Sequence, residues 1–333
     1  LGEASDANRA SDVLNYDPVE YWLRDSKTET SRKKRKKILD RFFEWNKTSA
    51  RDILLLAREI PSGIRQIKIE KMVDNFLEYR NKNRNEGGCG IATSTVRKEA
   101  DIIRGFFWAN NVIVNTSRKY VLKPVYESER VLTQEEVRKM IKVTKELDKR
   151  AIICVEAQAA QRISILTGLR FDMIHRFPQD DGKVYGVAEI MPEISDPQGL
   201  LVNKTRVHYK FGLHWESMRL LDEIRQQRED KNGFIWNLIV RRMQELISRA
   251  AKDAGIQKAK TTRTGGEWHD VHAHVFRRYW VARMDDAKVT NNYLIDYQLG
   301  HLIPSETYYH GMFTDEKIVE AIKQADEHLR VLT

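Results

Sequence analysis

Lys183-Val184-Tyr185-Gly186-Val187-Ala188-Glu189-Ile190 opens the segment in which the sequence turns from helical periodicity to strand-prone residues. From Lys183 to Tyr209 the strand-prone residues Val184, Tyr185, Val187, Val202, Val207 and Tyr209 are separated by Pro192, Asp196-Pro197 and Gly199. β-Branched and aromatic residues between turn formers predict a small antiparallel sheet. On both sides the apolar residues return to helical spacing, so the fold class expected is mainly α with a small inserted sheet.

Working back from the sheet, Arg150 to Thr167 reads as one largely buried helix. Thr133-Gln134-Glu135-Glu136 before it is a capping box that opens a helix to about Leu147. Working forward, helices are expected over Glu216–Gln227, Ile235–Ala251, His274–Asp285, Thr290–Gln298 and Glu316–Leu329. In the last of these, Ile318, Val319, Ile322, Ala325, Leu329 and Val331 make an apolar stripe. That stripe has two destinations, its own domain or a neighbouring protomer, and the second would couple assembly to activity.

The first third is a separate helical domain. Ile38, Leu39, Phe42 and Phe43 form one face of a helix from about Thr30 to Trp45. Ser49 caps a short helix. Gln66 to Tyr79 carries Ile67, Ile69, Met72, Val73, Phe76 and Leu77, and Asn81 to Gly90 is a loop with Gly87-Gly88. Thr93 or Ser94 caps a helix with Val96, Ala100, Ile103, Phe106 and Phe107 as its stripe. Phe106, Phe107 and Trp108 read as core rather than a base-stacking platform. Periodicity fails after Val112. The expected organisation is a polar tail over 1–16, a helical domain over 17–120, a linker over 121–130 and a second domain over 131–333.

Composition narrows the function classes. A net charge of +9 raises the expectation of a polyanionic partner. Arg32-Lys33-Lys34-Arg35-Lys36-Lys37 concentrates that charge at one helix, and Arg97, Lys98 and Arg104 add to it. Such a surface suits a duplex's line of phosphates, largely without regard to sequence. The two cysteines, Cys89 and Cys154, have no disulfide or metal-ligand spacing. His269, His272 and His274 have only Asp270 nearby, a spacing typical of no common zinc site. No stretch approaches the roughly 18 apolar residues of a membrane span, and the first residues lack a signal-like hydrophobic region. A DNA-associated cytoplasmic protein without cofactor or metal is expected. Leu1 rather than Met stands first, so residues preceding it are expected.

The residues able to carry chemistry are dispersed. Thr167-Gly168-Leu169-Arg170 precedes the sheet; His274-Val275-Phe276-Arg277, Leu299-Gly300-His301 and Tyr308-Tyr309 follow it. Covalent cleavage of DNA needs a hydroxyl nucleophile, fixed positive charge on the non-bridging oxygens, and an acid for the leaving oxygen. Arginine grips two phosphate oxygens and stays charged, and histidine exchanges protons near neutrality.

In order and separation these motifs resemble the tyrosine recombinase (phage-type integrase) family. The basic helical domain in front resembles that family's core-binding domain. The resemblance implies that Arg170 and Arg277 clamp the scissile phosphate, that His274 assists proton transfer and that His301 hydrogen-bonds the phosphate. It implies a lysine on a β-hairpin turn as the acid: Lys204 fits best, with Lys183 and Lys210 as rivals. The partner implied is double-stranded DNA bearing a specific recombination site. A protein that is a monomer or weak oligomer when free would assemble as a homo-tetramer on paired sites. The product is a 3′-phosphotyrosyl link, formed without metal or ATP.

The sequence departs from the family's pattern at several positions. Met173 stands where an acidic residue is common, beside Asp172, and Arg278 where a histidine often stands. The nucleophile's usual position holds His310, which leaves Tyr309, with Tyr308 as its rival. These departures suggest an archaeal or mobile-element branch. Integrase, replicon dimer resolvase, type IB-like topoisomerase and a catalytically silent DNA-binding protein on the same scaffold all remain open at this level.

Overall fold

The computed structural model describes residues 16–26, 28–60, 62–117, 130–261, 267–301 and 313–332. The chain divides into two compact units, Leu1–Glu127 with Thr261–Glu267, and Ser128–Lys260 with Trp268–Thr333.

The first unit is helical. Its helices are α1 (Pro18–Leu23), α2 (Glu29–Trp45), α3 (Ala50–Glu59), α4 (Ser62–Asn81) and α5 (Thr93–Ala109). Each of the first three is started by a side chain that accepts from the orphan amides of its first turn: Asp17, Thr28 and Ser49. The expected stripe of α2 is buried, and Phe42 meets Phe76 and Phe107 edge-on at centroid distances of 5.5 and 6.2 Å. The Arg80 guanidinium, on α4, donates to both carboxylate oxygens of buried Glu99 on α5, at 2.8 and 2.6 Å.

Three local expectations fail in this unit. Neither Thr93 nor Ser94 caps α5: the helix begins at Thr93, Ala92 holds the cap position, and the Thr93 hydroxyl donates to Asn81 instead. Ile67 is 68% exposed and Trp108 76% exposed, so neither belongs to the core. After α5 the chain stays attached without helical periodicity. Val112 and Val114 are buried, and the amides of Asn115 and Ser117 donate to Glu70 and Asp74 on α4.

The second unit holds the three-stranded antiparallel sheet, β1 (Ile174–Pro178), β2 (Val184–Ile190) and β3 (Tyr209–Leu213), in that order. Ile174 pairs with Ala188, and Glu189 with Lys210. The fold class is therefore as the sequence indicates, with a different strand set. Val202 and Val207 lie in the connection, and β1 was not anticipated. Around the sheet pack α6 (Gln134–Val143), α7 (Leu147–Ala159), α8 (Ile163–Gly168), α9 (Trp215–Gln226), α10 (Val240–Asp253), α11 (Ala273–Asp286), α12 (Asn292–Gln298), α13 (Asp315–Gln324) and α14 (Asp326–Leu329). A two-stranded ribbon joins β4 (Ala259–Thr261) to β5 (Glu267–His269). The capping box at Thr133 forms as read. Arg130, expected in the linker, is tied into this unit through Ile256 O and the Asp270 carboxylate.

Three of the expected helices are altered. The single helix over 150–167 is two, broken at Ala160 in the left-handed region (φ 55°). Residues 235–239 precede α10 in non-helical conformation, with the Ile235 amide donating to Leu169 O. The C-terminal helix is split at Ala325, and its stripe packs on its own unit rather than being left for a neighbour. Ile318, Ile322 and Leu329 are fully buried, and a Cβ added at Gly212 of β3 would lie 2.5 Å from Ile322. Fully buried Glu216 accepts from the amides of Val331 and Leu332, and Asp326 from His214, Trp215 and Arg330.

Candidate active site

The break between α7 and α8 builds the site. A left-handed conformation at a residue with a Cβ is unfavourable by about 1 kcal/mol or more, and persists only where its surroundings hold it. Here they do. Buried Gln161 donates to Ala159 O at 2.7 Å and Gln298 O at 2.8 Å, and accepts from the Tyr209 hydroxyl at 2.9 Å. The break turns the Ala160 carbonyl toward α11, where Arg277 Nη1 donates to it at 2.8 Å.

Arg277 Nη2 donates to Leu299 O and faces His301 Nε2, each at 3.0 Å. The guanidinium is thus fixed by two backbone carbonyls, on a residue that is 6% exposed. Burial, followed by the charge of Arg162, pulls its pKa down to about 10, so it stays cationic at neutral pH.

α12 ends with Gly300 in the left-handed region (φ 62°), and His301 N bonds back to Asp296 O at 3.0 Å. Gly300 faces the Tyr209 ring, which a Cβ would approach to 2.8 Å. The His301 Nδ1 lies 2.9 Å from Asp296 Oδ1. A carboxylate only accepts, so the proton sits on Nδ1 and the Nε2 lone pair faces Arg277. His274, in the first turn of α11, is exposed. Its pKa is lowered by partial desolvation, then by Arg277, Arg162 and His301. His274, Arg277 and His301 share a cavity of about 960 Å³ with Arg278, Lys288 and Asp296.

The structure therefore brings His274, Arg277 and His301 together, and it does not bring Arg170 to them. Arg170 makes a bidentate pair with Asp172, at 3.0 and 2.9 Å, and lies over the Phe234 ring. Its place beside Arg277 is taken by Arg162, whose Nη1 donates to Gly300 O at 3.4 Å. Arg162 was missed because it reads as the middle of a helix. The available signal was polar: Gln158, Gln161 and Arg162, with Glu156 before them, cluster within a mostly apolar run from Ala151 to Leu169.

Lys204 lies in the connection between β2 and β3, exposed and without an ion-pair partner among the described residues. Its neighbour Thr205 donates to Gly300 O at 3.4 Å, which ties that turn to the His301 segment. Lys183 is committed to Asp181 and Asp326, and Lys210 to Asp315. Tyr308, Tyr309 and His310 lie outside the described residues.

In the first unit the basic run is partly neutralised. Arg32 and Lys36 pair with Glu20, Lys33 lies near Glu29, and Arg35 covers the Trp22 ring. Lys34 and Lys37 are exposed without a partner among the described residues. On α5, Arg104 pairs with Asp101 and Lys98 is exposed.

No protein-family profile matches the chain, and no curated protein does. Solved structures do show similarity. XerA recombinase is 14% identical, with 92% of this chain and 97% of that one covered and a TM-score of 0.39. The integrase from mycobacterium phage Brujita is 13% identical, covering 96% and 98%, with a TM-score of 0.44. The Tn1549 transposon integrase, in complex with transposon right end DNA, is 13% identical, covering 82% and 98%, with a TM-score of 0.45. These likenesses are distant in sequence and in superposition.

Proposed function

We propose that the protein is a site-specific DNA recombinase that cuts and rejoins DNA through a 3′-phosphotyrosyl intermediate. The observation that carries this reading is the pair of guanidiniums, Arg277 buried and fixed and Arg162 beside it, with His301 and His274 on the same cavity. Two adjacent cations with their own mutual repulsion are stabilised by an anion between them, and a phosphodiester supplies one. Arg162 takes the clamping role that the sequence motif suggested for Arg170.

In the proposed reaction the Tyr309 hydroxyl attacks phosphorus, with Tyr308 as the rival nucleophile. The bond to the 5′-oxygen breaks, and Lys204 protonates that oxygen. His274, its pKa lowered by partial desolvation and then by its cationic neighbours, is suited to accept the tyrosine proton. His301, oriented by Asp296, hydrogen-bonds the phosphate. The covalent link conserves the phosphodiester's energy, so no ATP is consumed, and no step calls for a metal. The partner is double-stranded DNA with a specific site, engaged by a homo-tetramer on paired sites.

The test is a cleavage assay on fragments of the DNA flanking the gene, scored as a protease-sensitive adduct mapped to residue and nucleotide. Tyr309→Phe is expected to abolish the adduct and Tyr308→Phe to retain it. Arg162→Lys and Arg277→Lys should each slow its formation by about 10²–10³-fold, whereas Arg170→Gln should change it only a few-fold. If neither change matters to an adduct that forms, the tyrosine mechanism is wrong; a parent that forms no adduct is a silent DNA binder. Relaxation of plasmids lacking any site would instead make it a topoisomerase.

A further inference from the structure

α6, α7 and α9 enclose a second cavity, of about 420 Å³, against the last residues of the chain. Arg138 and Lys142 line it from α6, Arg150 from α7, and Arg219 with Glu223 from α9, while Leu332 covers one side. Four cations thus share a recess with one carboxylate. None of the four forms an ion pair among the described residues; Arg138 Nη2 donates to Arg330 O at 3.3 Å and Arg219 lies over the Trp215 ring.

The Nε atoms of Arg138 and Arg150 are buried and meet no acceptor among the described residues. A buried cationic N–H without an acceptor is unfavourable by roughly 1–3 kcal/mol or more. Two of them, on side chains that line an uncompensated positive recess, describe a pocket suited to an acceptor-rich anion. Its volume falls in the range of small-molecule sites, about 300–1,000 Å³.

We infer that this recess is a binding site for a compact, multiply charged phosphate group, such as the diphosphate of a small molecule. The ligand must be anionic to offset four cations, and oxygen-rich to accept from several guanidiniums at once. It must also be small, since Leu220, Ile141 and Leu332 wall the recess with apolar surface, unlike an open track for a duplex. The site is separate from the cavity containing Arg277 and does not depend on the reaction proposed for it.

Calorimetric titration of the full chain with inorganic pyrophosphate, in magnesium-free buffer, tests the assignment. Saturable one-to-one binding is expected, together with a rise in Tm. Lys142→Gln and Arg150→Gln should each weaken it tenfold or more. Glu223→Gln should tighten it severalfold, a direction that structural damage does not produce. The site does not exist if no saturable heat appears, or if all three variants titrate like the parent. The assignment is also overturned if Lys142→Gln and Arg150→Gln weaken duplex DNA binding as much as pyrophosphate binding, because the recess would then serve the DNA backbone.

Discussion

Glu156 sits one helical turn before the break that builds the site, fully buried, and neither carboxylate oxygen has a hydrogen-bond donor among the described residues. Burial pushes its pKa well above the ordinary carboxylate value, and the Arg277 charge offsets this only in part. A carboxyl group whose pKa is raised by folding carries no penalty below its unfolded pKa, where both states are protonated. The penalty then grows as pH rises through the window between the unfolded and folded values, by roughly 1.4 kcal/mol per pH unit. Glu156→Gln removes the ionisation while keeping the shape. The variant is therefore expected to match the parent in stability near pH 4.5 and to gain on it as pH rises, reaching about 1–3 kcal/mol at neutrality. Thermal melts of both proteins from pH 4.5 to 8 give the comparison. A difference that stays constant across that range would mean that Glu156 is ionised and satisfied in the folded protein.

The end of α12 shows the same coupling between backbone and chemistry at the level of an element. Gly300 is needed twice over, for its left-handed φ and for its approach to the Tyr209 ring. Gly300→Ala is expected to lower stability by about 1–3 kcal/mol and to reduce DNA cleavage further than that loss explains, because His301 moves with it. Melting and adduct formation, measured together, separate the two effects; full cleavage at unchanged Tm would refute the role. Gly300 and His301 were legible in the sequence, as were His274 and Arg277, because each pair lies within one helical turn or cap. The helix faces and the capping box at Thr133 were legible for the same local reason. The break at Ala160 was not. Alanine favours helix more than any other residue, and only contacts from the distant Tyr209, Arg277 and Gln298 turn the chain there. Arg162 was hidden with it. β1 was hidden because Ile174-His175-Arg176-Phe177-Pro178 lacks period-two alternation and ends in proline; its pairing with β2 is what makes it a strand.

Charge acts on the scale of the whole molecule, and there the +9 balance overstates what is available to the proposed DNA partner. The run from Arg32 to Lys37 looks like six equivalent phosphate contacts, but the fold spends two of them on Glu20 and sets Arg35 against Trp22. The Glu20 pKa is lowered by its hydrogen bonds to Arg32 and Lys36, so the carboxylate stays charged and keeps competing with phosphate for both. Each cation that does contact a phosphate contributes about 0.9 to the slope of log affinity against log salt. The double variant Lys34→Gln, Lys37→Gln is therefore expected to flatten that slope by about 2 on duplex DNA, with little change in sequence preference. Glu20→Gln should act in the opposite sense, since it releases Arg32 and Lys36 and steepens the slope. Both follow from affinities measured between about 50 and 200 mM salt. A slope unmoved by either change would take α2 off the DNA and leave the charge of the run as a solvated helix face.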